Sequence, residues 1–149
     1  MSHLRYLFLI SVLIFLSGCA HKVTLAQISP KFQSKSSKER QLVQRYKEYW
    51  DYFAKKQFEK AYYYELPHQR FLHSLKWYKE FNEPNDQNYT TILRSINFPN
   101  NYTANIHSTY ISQDKKTSFN FTDKWYLIGG EWYHLMKTTK LPTFHQNID

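Results

Sequence analysis

The residues of this sequence that are best suited to chemistry are expected on the inward face of a β-sheet near the carboxyl end of the chain. Asp123 and His134 carry a carboxylate and an imidazole that can act as general bases, and the Tyr110 hydroxyl can donate to an oxyanion. Arg94 and Trp125 are predicted on the same face, where they would complete a polar and aromatic pocket. A buried His or Asp among aromatic residues is also commonly a hydrogen-bonded structural residue, so this pattern alone assigns no catalytic residue.

The sequence lacks the common motifs of nucleophilic, nucleotide-dependent and metal chemistry. It has no glycine-rich phosphate loop and no serine nucleophile elbow. His68 and His73 are five residues apart, which places them on different faces of a helix, and the sole cysteine excludes a cysteine-rich metal site. We therefore expect no catalytic residues, no metal site and no cofactor.

The sole cysteine, Cys19, follows a segment organised like a secretory signal peptide. Residues 1–5 are short and basic, and residues 6–16 form an apolar run that is shorter than the about 20 residues needed to span a bilayer. The sequence Leu16-Ser17-Gly18-Cys19 resembles the bacterial lipobox. This resemblance implies cleavage before Cys19 and attachment of lipid chains to it, which would hold the protein on a membrane of the cell envelope.

The residue after the cysteine bears on which membrane this is. Ala20 stands where an Asp would, in many enteric bacteria, signal retention in the inner membrane, so the outer membrane is favoured. Two alternatives remain at this point. One is an ordinary cleaved signal peptide in which Cys19 is accidental, and the other is an uncleaved membrane helix.

Length and composition divide the rest of the chain into a tether, one domain and a tail. The chain has 149 residues, 42% hydrophobic and 19% aromatic, which suits one packed core. Residues 19–37 are polar and interrupted by Pro30, and we interpret them as the lipidated cysteine and a flexible tether behind the signal peptide of residues 1–18. The domain is expected over residues 38–140, with a tail over 141–149.

The chain is basic, with a formal net charge of +8 that falls to +7 when the signal peptide and its Arg5 are removed. In an envelope such a charge favours anionic surroundings, such as lipid headgroups or acidic partners, and gives no reason to expect nucleic acid. The lysines are scattered, with isolated pairs at Lys55-Lys56 and Lys115-Lys116. Scattered lysine is typical of a solvated surface.

Hydrophobic periodicity predicts helices first and strands afterwards. Apolar residues recur at helical spacing between Glu39 and Leu66, with a break near Lys56-Gln57, and a third helix is predicted from His68 to Phe81. Thr, Ile, Tyr and Phe then dominate four predicted strands. These are Tyr89 to Phe98, Tyr102 to Ile111, Thr117 to Ile128 and Glu131 to Lys137.

Gly129-Gly130 predicts a two-residue hairpin turn between the last two strands, because glycine adopts the positive φ that such a turn requires. This turn sets a register in which Leu127 faces Trp132, Trp125 faces His134 and Asp123 faces Met136. The face that carries these six residues is expected to form the core.

Helices followed by an antiparallel meander that ends in the stretch from Asp123 to Tyr133 resemble the nuclear transport factor 2-like superfamily, also called SnoaL-like or cystatin-like. Members often end in a Trp, a two-residue Gly turn and a second Trp or Tyr, as Trp125, Gly129-Gly130 and Trp132 do here. The resemblance implies an α+β roll in which a curved antiparallel sheet wraps around the helices and leaves a cone-shaped pocket. Members often place a strand between the second and third helices, and none is evident near residues 65–69.

Some members of this superfamily use the pocket for catalysis, and many use it only for binding. We therefore expect a membrane-anchored envelope lipoprotein whose domain is a non-catalytic module for an envelope partner or a small ligand. One alternative is a pocket enzyme of SnoaL-like isomerase or dehydratase type, and another is a binder of anionic envelope surfaces. Exposed sheet faces also make a homodimer plausible, and exposed tyrosines within Tyr62-Tyr63-Tyr64 would suit a contact patch.

One local pattern suggests a modification. Asp86-Gln87-Asn88-Tyr89-Thr90 resembles the extended acidic sequon of bacterial N-glycosylation systems. This resemblance makes Asn88 a hypothetical glycosylation site, whereas the sequons at Asn101 and Asn120 lack the acidic residue.

Overall fold

A short strand, four helices and then four longer strands follow one another in the described part of the chain, and together they form an α+β fold with a curved, half-barrel sheet. The computed structural model describes residues 26–83, 89–112 and 117–138. The helices are α1 (Ser37–Ala54), α2 (Phe58–Tyr62), α3 (Pro67–Leu72) and α4 (Leu75–Asn82). The strands are β1 (Gln27–Ile28), β2 (Tyr89–Asn100), β3 (Thr103–Ser112), β4 (Ser118–Ile128) and β5 (Glu131–His134). Within the described part of the chain, no helix is long and apolar enough to cross a membrane.

Helix α1 starts at a capping motif. The Ser36 side chain accepts a hydrogen bond from the Glu39 backbone N–H, and the Glu39 carboxylate accepts one from the Lys35 N–H. Leu42, Tyr46 and Trp50 then recur at helical spacing and are buried against the sheet. The helix ends beside Lys56, which has a positive φ, so the predicted break near Lys56-Gln57 is confirmed.

The helix predicted from His68 to Phe81 is divided into α3 and α4. His73 has an extended backbone, and the Ser74 side chain accepts a hydrogen bond from the Trp77 N–H at 3.2 Å. Ser74 is therefore the N-cap of a new helix, and its side chain competes with continuation of the first. The Tyr62 hydroxyl donates to the carbonyls of Arg70 and His73, which fixes this corner against α2.

The sheet has the order β1-β2-β3-β4-β5, and β2 to β5 form the predicted antiparallel meander. Strand β1 pairs with β2 in parallel, which makes the sheet mixed and corrects the expectation of a purely antiparallel one. β1 lies in the segment that the sequence assigns to the tether. Ala26 is buried, and its N–H donates to the Asp51 carboxylate at 2.9 Å. The ordered domain therefore includes residues 26–37 and starts well before residue 38.

The last hairpin has the predicted register. Gly129 and Gly130 have φ of +59° and +87°, Leu127 pairs with Trp132, and Trp125 pairs with His134. Strand β5 ends at His134 and does not extend to Lys137. Its free edge there is occupied by the segment between α2 and α3, because the His134 N–H donates to the Tyr64 carbonyl and the Leu66 N–H donates to the His134 carbonyl.

Several sequence predictions fall outside the described residues. These are the signal peptide and lipobox with Cys19, the first residues of the tether, the candidate glycosylation site Asn88, the lysine pair Lys115-Lys116 and the tail over residues 141–149.

Candidate functional site

Four of the five predicted pocket residues lie together on the inner face of the sheet. Tyr110 comes from β3, Asp123 and Trp125 from β4, and His134 from β5. Asp123 and Trp125 have no exposed surface, and His134 and Tyr110 are 2% and 4% exposed. The sequence pattern therefore identified the right face, and the structure fills that face with side chains and with α1.

Arg94 lies on the opposite, outer face, which corrects its predicted place in the pocket. Alternation along β2 is interrupted by a β-bulge, because Leu93 pairs with Ser108 whereas Ser95 pairs with His107. The extra residue, Arg94, is exposed, and its Nε donates to Thr109 Oγ1 at 3.1 Å.

A chain of four charged side chains starts in the interior beneath α1 and ends at Lys137, whose side chain is 33% exposed. His134 lies between two carboxylates, with Nδ1 2.8 Å from Glu65 Oε2 and Nε2 3.3 Å from Asp123 Oδ1. Lys137 Nζ completes the chain at 2.9 Å from Asp123 Oδ1. We call Glu65, His134, Asp123 and Lys137 the buried charge cluster. Its order of acid, base, acid and base lets every charge lie beside one of opposite sign.

Aromatic side chains supply the remaining hydrogen bonds of the carboxylates. Trp50 Nε1 donates to Asp123 Oδ2 at 3.0 Å, and the hydroxyls of Tyr49 and Tyr78 both donate to Glu65 Oε1 at 2.9 Å. The Tyr49 ring also lies over the imidazole, with 4.5 Å between the ring centroids. Both carboxylates are thus satisfied on both oxygens, as buried charges require.

These neighbours shift the protonation equilibria in a consistent direction. Burial alone would lower the pKa of His134, but the charges of Glu65 and Asp123 outweigh it and raise that pKa to about 9. Burial alone would raise the pKa of Asp123, and His134 and Lys137 hold it below its ordinary value instead. Burial raises the pKa of Tyr110 well above its ordinary value, with a further contribution from Asp123. At neutral pH the cluster therefore contains an imidazolium and ionised Asp123.

A histidine between two carboxylates has the composition of a proton-transfer site. Here the imidazole and the two carboxylates bond to one another inside the domain. Glu65, His134 and Asp123 are at most 2% exposed, and both imidazole nitrogens are already engaged. The Tyr110 ring packs against Trp50 and Phe121 at centroid distances of 5.1 and 4.1 Å. In the described ranges no group of three or more His, Cys, Asp or Glu side chains is placed to hold a metal ion.

A shallow hollow opens on the outer face of the sheet, where β2, β3 and β4 run side by side. Its volume is about 360 Å³, and it is lined by Arg94, His107, Ser108, Asn120, Phe121 and Thr122. The polar side chains around it form an ordered ladder. His107 Nδ1 lies 3.0 Å from Thr122 Oγ1, and the Thr109 hydroxyl, which accepts from Arg94, donates to Asn120 Oδ1 at 2.9 Å. We call this set the outer hollow.

Comparisons with known proteins give little further guidance. No family model matches the chain, and no curated protein matches it. Among solved structures it is similar to a SEC-C motif-containing protein from Rhodopseudomonas palustris, with a TM-score of 0.48 and 10% sequence identity. The match covers 62% of this chain and 73% of that one. The function therefore has to be argued from the residues of this chain.

Sequence reasoning missed Glu65 and Lys137 as members of the cluster. Glu65 is the one charge between Ala61 and Pro67, in an otherwise aromatic and aliphatic run, and that isolation was the available signal. Its contact with His134 is made through an isolated parallel bridge. A single bridge has no period, so it leaves no repeating pattern in the sequence.

Proposed function

We propose that this protein is an envelope lipoprotein, anchored through lipid on Cys19, whose domain is a non-catalytic binding module of the nuclear transport factor 2-like type. The lipobox-like sequence supports the anchor. Three features support the type of domain. These are the order of helices and meander, the Trp125 to Trp132 hairpin, and the bridge at Glu65, where related domains often have a strand.

One observation carries the assignment of a binding role. The polar side chains that would do chemistry are closed inside the domain, whereas four polar side chains that line the outer hollow are exposed: Arg94, His107, Asn120 and Thr122. A partner can therefore reach Arg94, His107 and Thr122 without unfolding any part of the core. In the described contacts the Arg94 guanidinium donates only through Nε. Its other N–H groups suit an acidic or hydrogen-bond-accepting group on that partner.

In-cell photo-crosslinking tests this role. The full chain, produced in its own host with a photoreactive phenylalanine analogue at Thr122, is expected to form a discrete adduct that is lost when Arg94→Glu is added, because the reversed charge repels an acidic partner. An adduct of twice the protein mass would identify a second copy as the partner.

The matched control carries the same analogue at Lys76 on α4, whose side chain is 85% exposed but lies in the helical layer. No discrete protein adduct is expected there. Absence of any adduct at Thr122, or an adduct unaffected by Arg94→Glu, would contradict binding at the outer hollow.

A further inference from the structure

Three large apolar side chains of the helical layer are exposed to solvent and are not part of the core. Phe71 is 90% exposed, Leu72 is 69% exposed and Tyr63 is 60% exposed. Helix α3, which carries Phe71 and Leu72, buries none of its residues. The Arg70 guanidinium lies 5.7 Å from the Tyr63 ring centroid and brings the two segments together. We call Tyr63, Phe71 and Leu72 the apolar tip.

Such a tip is costly to leave in water. Single exposed hydrophobic residues are normal, but a cluster of large ones on a short helix that buries nothing marks a surface for a protein or a membrane. A phenylalanine and a leucine beside a tyrosine form the composition that inserts at a bilayer interface, where the tyrosine hydroxyl stays among the headgroups.

The short distance between the fold and the lipidation site favours the bilayer over a protein as the surface that the tip contacts. The fold begins at Ala26, which is buried and hydrogen-bonded to Asp51 in the last turn of α1. Only seven peptide steps separate Ala26 from Cys19, and they span at most about 25 Å when fully extended. A domain of this size has a radius of gyration of roughly 13 Å. The anchor would therefore hold the domain against the membrane surface, with little room for any large protein between them.

The tether enters the domain at the edge that the sheet shares with the helical layer. Gln27, next to Ala26, pairs with Ile92 of β2, and Ala26 contacts Asp51 in the last turn of α1. Helix α2 begins shortly after that turn, where Phe53 packs on Phe58, and the tip follows at Tyr63 and on α3. Residues 55–83 contain six Lys and Arg but four Glu, one of which is the buried Glu65. The segment that carries the tip is therefore net basic, which complements anionic headgroups.

We propose that the apolar tip of Tyr63, Phe71 and Leu72 inserts at the boundary between the headgroups and the acyl chains of the membrane that carries the anchor, and so orients the domain with the outer hollow away from the bilayer. This inference rests on the proposed lipid anchor. Because the anchor confines the tip at an effective concentration on the order of millimolar or higher, a weak insertion suffices to fix the orientation.

Spin labels on the lipidated protein test the insertion. The full mature protein is extracted from membranes and reconstituted in vesicles of phosphatidylethanolamine and phosphatidylglycerol, with one label at Leu72→Cys and, in a matched preparation, one at Thr122→Cys. The lipid occupies the Cys19 sulfur, so each protein carries a single label. The ratio of collisions with oxygen to collisions with a polar nickel chelate is expected to be roughly tenfold higher at Leu72, because oxygen concentrates in hydrocarbon and the chelate stays in water.

Equal ratios at the two positions would overturn the proposal. A Leu72 label that is shielded only in whole envelopes, and remains in water in pure lipid vesicles, would assign the tip to a protein partner and would also overturn it. The same labels in a Cys19→Ser chain that begins at residue 19, and so lacks the apolar segment of residues 6–16, separate the two claims when this chain is mixed with excess vesicles. If the native protein carries no lipid, the anchor fails, and a raised ratio at Leu72 in this chain would still establish insertion by the tip alone.

Discussion

Replacing Asp123 with alanine is expected to lower the free energy of unfolding by about 3–5 kcal/mol, because it leaves the buried His134 with one of its two carboxylate partners and removes the acceptor of Lys137 and Trp50. The Asp123 carboxylate accepts from His134, Lys137 and Trp50, and it has no exposed surface. Urea denaturation followed by tryptophan fluorescence measures the loss. This is the largest effect that we expect from a single substitution in the cluster.

Two further variants make the result interpretable. Glu131→Ala breaks the Arg45–Glu131 ion pair, whose glutamate side chain is 50% exposed, and is expected to cost less than about 1 kcal/mol. Asp123→Asn keeps an oxygen that can accept from Trp50 and is expected to cost less than Asp123→Ala. Equal losses for Asp123→Ala and Glu131→Ala would show that the buried charge cluster contributes no more than a surface ion pair.

The stability of the protein is expected to fall as the pH rises from about 6.5 towards 9. The pKa of His134 is raised in the folded protein from 6.5 to about 9 by Glu65 and Asp123. A raised folded-state pKa gives a contribution that is complete below the unfolded value and is lost as the pH rises through the folded value. The two values correspond to roughly 3 kcal/mol. The Asp123 contribution has the opposite sense, because its pKa is lowered, and is lost only in acid below about 3.8.

A His134→Gln variant tests the origin of this pH dependence. The stability gap between the native protein and His134→Gln, measured by urea denaturation at several pH values, is expected to be widest below pH 6.5 and to narrow towards pH 9. His107→Gln is the matched control, since His107 is an exposed histidine bonded to Thr122. A gap that stays constant with pH would show that the pKa of His134 is the same in the folded and unfolded protein, and a gap that widens as the pH rises would show that His134 is neutral in the folded state.

Local patterns in the sequence were enough to predict the inner face of the sheet. Two glycines that require positive φ fixed the last hairpin, and a two-residue period then placed Asp123, Trp125 and His134 on one side. The same period placed Arg94 wrongly. One extra residue in β2 reverses which side chains face inward. No glycine or proline lies at this bulge, so the sequence gives no local signal of it.

Contacts between distant segments were the part that the sequence could not supply. Glu65 reaches His134 across 69 positions of sequence, and Ala26 reaches Asp51 across 25. The two-residue strand β1 is too short to show any period, so a polar composition around Pro30 predicted a tether where the structure has an edge strand. Each missed feature is one or two residues long and depends on a partner elsewhere in the chain.

Under these proposals the two exterior surfaces would have different roles. The basic helical layer with the apolar tip would face the bilayer, and the outer hollow on the far side of the sheet would face the partner. The buried charge cluster lies between them and ties Glu65, from the connection between α2 and α3, to β4 and β5. Rigid coupling of the helical layer to the sheet would keep the outer hollow turned away from the membrane.

The intact mass of the membrane-extracted protein, measured beside a Cys19→Ser form, tests the proposed lipid anchor. We expect a chain that begins at Cys19 and carries the added mass of its lipid, with that adduct absent from the Cys19→Ser form. The same spectrum would show any glycan at Asn88 as a separate increment. A chain that retains residues 1–18, or that is cleaved but carries no lipid, would contradict the anchor and with it the membrane-facing orientation of the domain.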